Sequence, residues 1–319
     1  MLSRVADNLY WMCRYLERAE HTARLIDVHL NLMLDQSLAS ADQRWSRAAG
    51  SLGIKVPEDA ETDGRSLLHL MCFEVSDPCS MVGSIIAARE NARQVREQIS
   101  SEMWEQLNRL FHEVRRASID DIRESQPIDF AAKVRYGMHL FEGITDSTMS
   151  HGEGWHFIQL GRFLERAIGL AILLDVHFRE FFHESKDLAE LEHLEWLGLL
   201  KSCTAFEAYC KVYTAELKPV RIAEFLILDQ EFPHSVRFAV DRIAAALEAL
   251  ETRHDDRRTQ RLRRLAGRLQ ASLSYGQIEE IFQGDLHVYL DNIQRQCHQI
   301  HLSMYESYVT YPIQMALEA

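Results

Sequence analysis

The segment RYLERAEHTARLIDVH, Arg14 to His29, returns as RFLERAIGLAILLDVH, Arg162 to His177. Ten of the sixteen positions are identical at an offset of 148 residues (162 minus 14), close to half of the 319-residue chain. Solenoid arrays repeat every ~20–50 residues, so this interval marks one doubled unit rather than an array. Two further stretches keep step. LDQEFPHSV (228–236) parallels VSDPCSM (75–81), with Pro233 and Ser235 matching Pro78 and Ser80, and Ile300 and Ser303 match Ile144 and Ser147. The expected architecture is a pseudo-twofold helical bundle, one unit over 1–319 with halves 1–150 and 151–319. Each half holds about six helices, and the two repeated helices lie near the axis.

Helix is the only regular structure the chain favours. It has 14 glycines and 6 prolines, together well under the usual ~12% of residues, and much Ala, Leu, Glu and Arg. No run alternates apolar and polar residues with β-branched enrichment. The fold class is all-α. A first helix begins after Ser3 and runs towards Ser40, and a short one covers 42–50 before the polar loop IKVPEDAETDG. SDPCS (76–80) reads as an N-cap with proline in the first turn of a helix reaching Ser100. Ser100 or Ser101 opens EMWEQLNRLFHEVRRA, Asp129 opens a helix to about Ser150, and the loop SHGEG leads into a helix ending near His183.

The formal charge of −13 argues against nucleic acid or an anionic membrane as partner. MLSRVADNLYWMCRYLER lacks the apolar core of a secretion signal, and no stretch is apolar enough to span a bilayer. Cys13, Cys72, Cys79, Cys203, Cys210 and Cys297 form no Cys-x-x-Cys and read as small buried hydrophobes in a reducing cytoplasm. The seven-residue spacings Cys72/Cys79 and Cys203/Cys210 place each pair on one helix face.

Charge is the informative part of the repeat. In the first copy Tyr15, Leu16, Ala19, Ala23, Ile26 and Leu30 form an apolar arc, opposite Arg14, Glu17, Arg18, His21 and Arg24. In the second copy Ile168, Leu170, Ile172, Leu173, Leu174 and Val176 surround the cylinder, yet Arg162, Glu165 and Arg166 remain. Charges on a buried helix require partners, since stripping one from a pair costs ~3–5 kcal/mol. Glu165 reaches Arg162 at i−3, which leaves Arg166 to find a carboxylate elsewhere. Three readings stay open: an ion-pair network fixing how the halves meet, a polar pocket at their junction, and a solvated face. In the pocket reading arginines hold a carboxylate or phosphate, and Glu17 or Glu165 takes a proton or an amine. Arg89, Arg93 and Arg96 in AARENARQVRE share one face flanked by Glu90 and Glu97, and need anions from Glu17 and Glu165 or from a ligand.

MLSRVADNLYWMCRYLERAEHTARLIDV, ARENARQVREQISSEMWEQLN, ITDSTMSHGEGWHFIQLGRFLERA and FPHSVRF resemble the bacterial alpha-E family, all-helical proteins of unassigned function. The likeness runs through nearly the whole chain. Members are typically encoded beside a circularly permuted ATP-grasp protein, often near a transglutaminase-like protein or a proteasome-like peptidase. The resemblance therefore implies a part in ATP-dependent amide or peptide-bond formation, with ATP and Mg on the partner ligase and no cofactor on this chain. It carries site roles onto Arg14, Glu17, Arg18 and Arg24, and onto Arg89, Glu90, Asn91, Arg93, Arg96, Glu102 and Trp104. Asp146, Thr148, Glu153 and Trp155 follow from the loop before the second copy, and Arg162, Glu165 and Arg166 from that copy. The chain departs from the pattern where Thr22 and Arg24 correspond to Leu170 and Ile172.

Competing chemistries have little sequence support. Glu-x-x-His pairs occur, among them Glu153–His156, Glu180–His183, Glu190–His193 and Glu251–His254, but none of these has a counterpart in the other half, as a di-metal bundle needs. No metal ligand is assigned. Phosphate-loop and dinucleotide fingerprints are absent. The expectation is a component that binds an ATP-grasp ligase, or its carboxylate or peptide product, through an Arg/Glu pocket. The alternative is an enzyme acting on an activated carboxylate, with Glu17 or Glu165 as base and the arginines as anion holders. A homodimer is a further expectation.

Overall fold

Few helix breakers interrupt the chain, and the structure, a computed structural model, is built from α-helices. It describes residues 1–34, 41–54, 63–116, 127–182, 189–251 and 257–310. Among them run α1 (Ser3–Leu34), α2 (Ala41–Ser51), α3 (Gly64–Cys72), α4 (Met81–Gln94), α5 (Ser101–Arg116), α6 (Pro127–Thr148) and α7 (Glu153–Phe181). There follow α8 (Ala189–Ser202), α9 (Phe206–Tyr213), α10 (Pro219–Leu228), α11 (Val236–Glu251), α12 (Arg257–Tyr275), α13 (Ile278–Gln283) and α14 (Leu286–Met304). A π-helical turn, Tyr305–Thr310, closes the described chain. No strand occurs among the described residues, and none of their helices is long and apolar enough to cross a membrane. The fold is all-α.

The repeated segments form the two central helices. α1 packs against α7, α4 and α6, while α7 packs against α1, α11 and α14. The two run side by side in the same direction: the Met1 ammonium meets Glu153, Gly161 lies on the Tyr10 carbonyl, and Gly169 lies on the His21 ring. α6 runs the other way along α1, since Arg135 meets Asp27 and His139 meets Glu20. Leu9, Ile26, Leu160, Leu164, Leu174, Ile85 and Val240 fill the space between these elements.

Serines set the starts of the two helices flanking this pair. Ser80 Oγ accepts from the Gly83 N–H at 3.0 Å and donates to the Glu74 carbonyl, which fixes the N-terminus of α4. Ser235 does the same for α11, accepting from Phe238 N–H and donating to the Asp229 carbonyl. The N-cap of α4 is thus Ser80, and Pro78 lies in the turn before the helix rather than in its first turn. α4 also stops earlier than its pattern suggests: at Val95 the backbone turns to φ −128° and ψ 33°, and a 3₁₀ turn over Arg96–Gln98 follows.

Smaller corrections concern helix ends and cysteines. Residues 35–40 and 183, where the first and second signature helices were expected to end, and most of the loop after α2 lie outside the described residues. Asp129 sits in the first turn of α6, which begins at Pro127. The spaced cysteines do not share helices: Cys72 ends α3 and Cys79 is exposed in the following turn, while Cys203 lies beyond α8 and Cys210 within α9.

The close approach of α1 and α7 depends on Gly161. A Cβ there would stand 2.2 Å from the Tyr10 carbonyl oxygen, a backbone atom that cannot rotate away. Alanine ordinarily gains about 1 kcal/mol over glycine inside a helix. Here the clash outweighs that gain, and Gly161→Ala is expected to lower stability by about 2 kcal/mol or more, read by chemical denaturation. An unchanged midpoint would mean that the helices separate freely.

Candidate functional site

The shared direction of α1 and α7 brings the two Leu-Glu-Arg-Ala segments to the same level, and their charges cross. Arg14 Nε donates to Glu165 Oε2 at 2.6 Å, and Arg18 Nε donates to Glu165 Oε1 at 2.7 Å. In return Arg166 forks onto Glu17, donating from Nε at 2.5 Å and from Nη2 at 2.7 Å. Arg162 Nε stands 3.6 Å from the same glutamate. Each glutamate of the repeat is therefore held by arginines of the other segment. The second nitrogen row reaches outward to turns: Arg18 Nη1 donates to the Pro78 carbonyl and Arg166 Nη1 to the Pro233 carbonyl, both at 3.2 Å.

This corrects two expectations. Arg162 does not pair with Glu165 one turn away, because its Nη2 is drawn to Glu142 on α6 at 2.6 Å. Nor is the first helix a half-solvated amphipath: Arg14 (7% exposed), Glu17 (4%) and Arg24 (2%) are as buried as the apolar face. Arg24 continues the network, pairing with Glu20 and lying 3.1 Å from His234 Nδ1. Burial and the guanidiniums of Arg24 and Arg166 hold the His234 imidazole well below its usual range, so it is neutral. Burial alone would push the Glu165 carboxyl up, but Arg14 and Arg18 together hold it below the usual carboxylate range.

A cleft of about 300 Å³ opens beside the network, between α1, α6 and α7. Cys13, Leu16 and Glu17 line it from α1, His139, Glu142 and Asp146 from α6, and Gln159 and Arg162 from α7. Burial, opposed by Arg162 and aided by Glu17, pushes the Glu142 carboxyl above the usual range. His139 shifts upward through its contact with Glu20, 3.5 Å away.

The other arginine set stands apart. Arg96 falls in the 3₁₀ turn, so it leaves the face of Arg89 and Arg93, and none of the three meets Glu17 or Glu165. Arg89 donates to Asn108 Oδ1 at 2.7 Å and covers the Trp104 and Phe111 rings. Arg93 pairs with exposed Glu90, Arg96 lies over Trp104, and Asn91 donates to the Ala87 carbonyl. Glu102 is exposed in the first turn of α5. Thr148 donates to the Ile144 carbonyl, Glu153 meets the Met1 ammonium, and Trp155 stacks on His151 at 4.2 Å. Of Asp146, Thr148, Glu153 and Trp155, only Asp146 lines the cleft.

Glu142, Glu20, His139 and His234 escaped the sequence reading. Glu142 lies four residues before Asp146 and so on its helix face, and His234 sits inside FPHSVRF; both signals were available. Among the described residues no three His, Cys, Asp or Glu side chains gather as metal ligands. His183, His254 and the side chains of Glu190 and Glu251 lie outside the described set.

Two measurements probe the network. Glu17→Gln leaves the buried Arg166 short of a counter-charge and is expected to cost about 3 kcal/mol or more on denaturation. A cost below about 1 kcal/mol would place the pair in solvent. The second is acid unfolding. Because the folded Glu165 carboxyl titrates below its usual 4.5, its contribution is complete above that pH and is lost as pH falls through the folded value. The melting temperature of the unmodified protein should therefore fall more steeply below pH 4.5 than that of Glu165→Gln.

Comparison with known proteins places this geometry. A family model described as "a predicted alpha-helical domain with a conserved ER motif", Alpha-E, matches residues 1–309. The dipeptide Glu-Arg occurs at two places in the chain, 17–18 and 165–166, the centre of the crossed pairs. Mb2597 of Mycobacterium bovis and MT2643 of Mycobacterium tuberculosis, both named as uncharacterized proteins, are each 24% identical over 279 residues. Those alignments cover 81% of this chain and 31% of each relative, so the chain spans about a third of their length. The same figures hold for Rv2567 of Mycobacterium tuberculosis. No solved structure matches. With its two central helices joined through both Glu-Arg pairs, the chain belongs to the Alpha-E family.

Proposed function

We propose that this chain is the ligand-binding, accessory component of an amide- or peptide-bond-forming system whose catalyst is a circularly permuted ATP-grasp ligase. ATP and Mg would sit on the ligase, and a peptide or amino-acid reactant in the cleft beside Glu17, Glu142 and Arg162. We place it in the cytoplasm, a reading that six free thiols support.

One observation carries the accessory reading over the catalytic one. Arg14, Arg18 and Arg166, the residues required to hold an acyl phosphate, are each within 2.7 Å of a glutamate of the same chain. Glu17 and Glu165 are correspondingly clamped by guanidiniums, which suits a frame better than a base that must collect a proton. The length of the mycobacterial relatives supports partnership, since the matched region is there only part of a longer polypeptide.

Product formation measured for the ligase alone, for this chain alone and for both together tests the reading. The expected result is no turnover by the chain alone and more product from the mixture than from the ligase. Full product from the unaided ligase, or turnover of an activated carboxylate by this chain alone, would overturn it.

A further inference from the structure

α12 is charged unlike the rest of the molecule. Its sequence, RRTQRLRRLAGRLQASLSY, holds six arginines, no lysine and no acid. The chain carries −13 in all, so the remainder carries −19 (−13 minus 6). Thr259, Leu262, Ala266, Leu269 and Leu273 are buried, where the helix packs against α11 and α14. Arg257, Arg261, Arg264 and Arg268, at i, i+4, i+7 and i+11, fall on the opposite face, and all are exposed. They form a stripe about 16 Å long. Tyr275, 85% exposed, ends the same face five turns after Arg257.

A solvated helix face does not account for this stripe. On such faces opposite charges one turn apart pair, whereas like charges repel and weaken the helix. α5 supplies the comparison: it follows α4 and packs against α4 and α6, as α12 follows α11 and packs against α11 and α14. Its exposed charges are balanced, with Glu102, Glu105 and Glu113 set against Arg109, Arg115 and Arg116. On α12, Arg257, Arg264 and Arg268 have no carboxylate partner among the described residues, and Arg261 reaches exposed Glu306 only at 3.8 Å. The choice of arginine over lysine is a second sign, since a guanidinium is weakly hydrated and forks onto a carboxylate with two bonds. Arginine and tyrosine are also enriched where proteins meet.

Charge complementarity selects the occupant. Nucleic acid brings one negative charge every ~1.7 Å of duplex, and the −19 of the remaining chain repels it at long range. A short acidic segment brings a few carboxylates within the roughly 8 Å over which the stripe is felt through physiological salt. We propose that this face of α12 docks an acidic polypeptide segment of another protein, its carboxylates following helical spacing so that each takes one guanidinium, with an apolar side chain against Tyr275. α12 contributes no residue to the cleft, and the inference is independent of the function proposed above.

Fluorescence anisotropy provides the test, with the full chain and a labelled alanine-based helical peptide bearing glutamates at i, i+4, i+7 and i+11. The peptide is expected to bind at low salt and to lose about tenfold or more in affinity at about 0.5 M salt. A counterpart with lysines at those positions is expected not to bind. One with the same glutamates scattered around the helix should bind about tenfold more weakly. Arg264→Glu with Arg268→Glu should abolish binding at unchanged melting temperature, because both side chains stand in solvent. Arg264→Gln with Arg268→Gln, a milder pair should the reversed protein fail to fold, should weaken binding about tenfold. No binding of the glutamate peptide, equal binding of the lysine or the scattered peptide, or affinity untouched by the substitutions would overturn the proposal. So would a short single-stranded RNA that binds these arginines more tightly than the peptide, which would make the face a phosphate surface. Sedimentation of the chain alone covers the last occupant: a dimer that Arg264→Glu with Arg268→Glu dissociates would make the face a contact between copies and remove the acidic partner.

Discussion

The exchange of glutamates between two buried helices is the constraint on which the rest of the molecule depends. Glu17 belongs to α1 and is held from α7, and Glu165 belongs to α7 and is held from α1. Neither helix satisfies the charges of its own Glu-Arg dipeptide, which are met only across the interface. Burying any one of these ions without its partner would cost several kcal/mol, a large fraction of the whole stability of an ordinary domain. The pairing therefore acts as a condition on assembly. Only one register sets both Glu-Arg dipeptides opposite each other, and a slide of one helical turn would break the fork of Arg166 on Glu17.

Such a network is a weak source of net stability and a strong source of specificity, as far as polar cores generally behave. The apolar mass around it does the bulk of the stabilising. What the ions contribute is geometry. By fixing the level at which α1 and α7 meet they also fix where α6 crosses, through Arg162 and Glu142, and so where the cleft opens. Frame and cleft share residues, and the division of labour runs through single side chains: Glu17 faces Arg166 on one side and the cleft on the other.

Much of this was readable in the residues. Scarce glycine and proline pointed to an all-helical class, and the matched stretches around Pro78–Ser80 and Pro233–Ser235 marked equivalent places in the two halves. The Leu-Glu-Arg-Ala segments showed that charge had to be buried. Which arginine takes which glutamate was not readable, since i−3 proximity along one helix competes with contacts across the interface that depend on the crossing itself. The arginines of α4 were misjudged for a related reason. Nothing like glycine or proline marks the break at Val95, so the helical face seemed to continue through Arg96. Glu142 shares a helix face with Asp146, but nothing local marks its burial; the environment that perturbs it comes from other elements.

The outer reach of Arg18 and Arg166 ends on main-chain oxygens, those of Pro78 and Pro233. A tether made to a carbonyl is indifferent to whatever side chain follows it. The next residue is Cys79 in one turn and His234 in the other, an exposed thiol that the same Arg18 nitrogen reaches at 3.7 Å and an imidazole drawn inward to Arg24. Beside two equal anchors the chain thus carries two unlike side chains, so its flanks differ in chemistry without loosening the joint that aligns them.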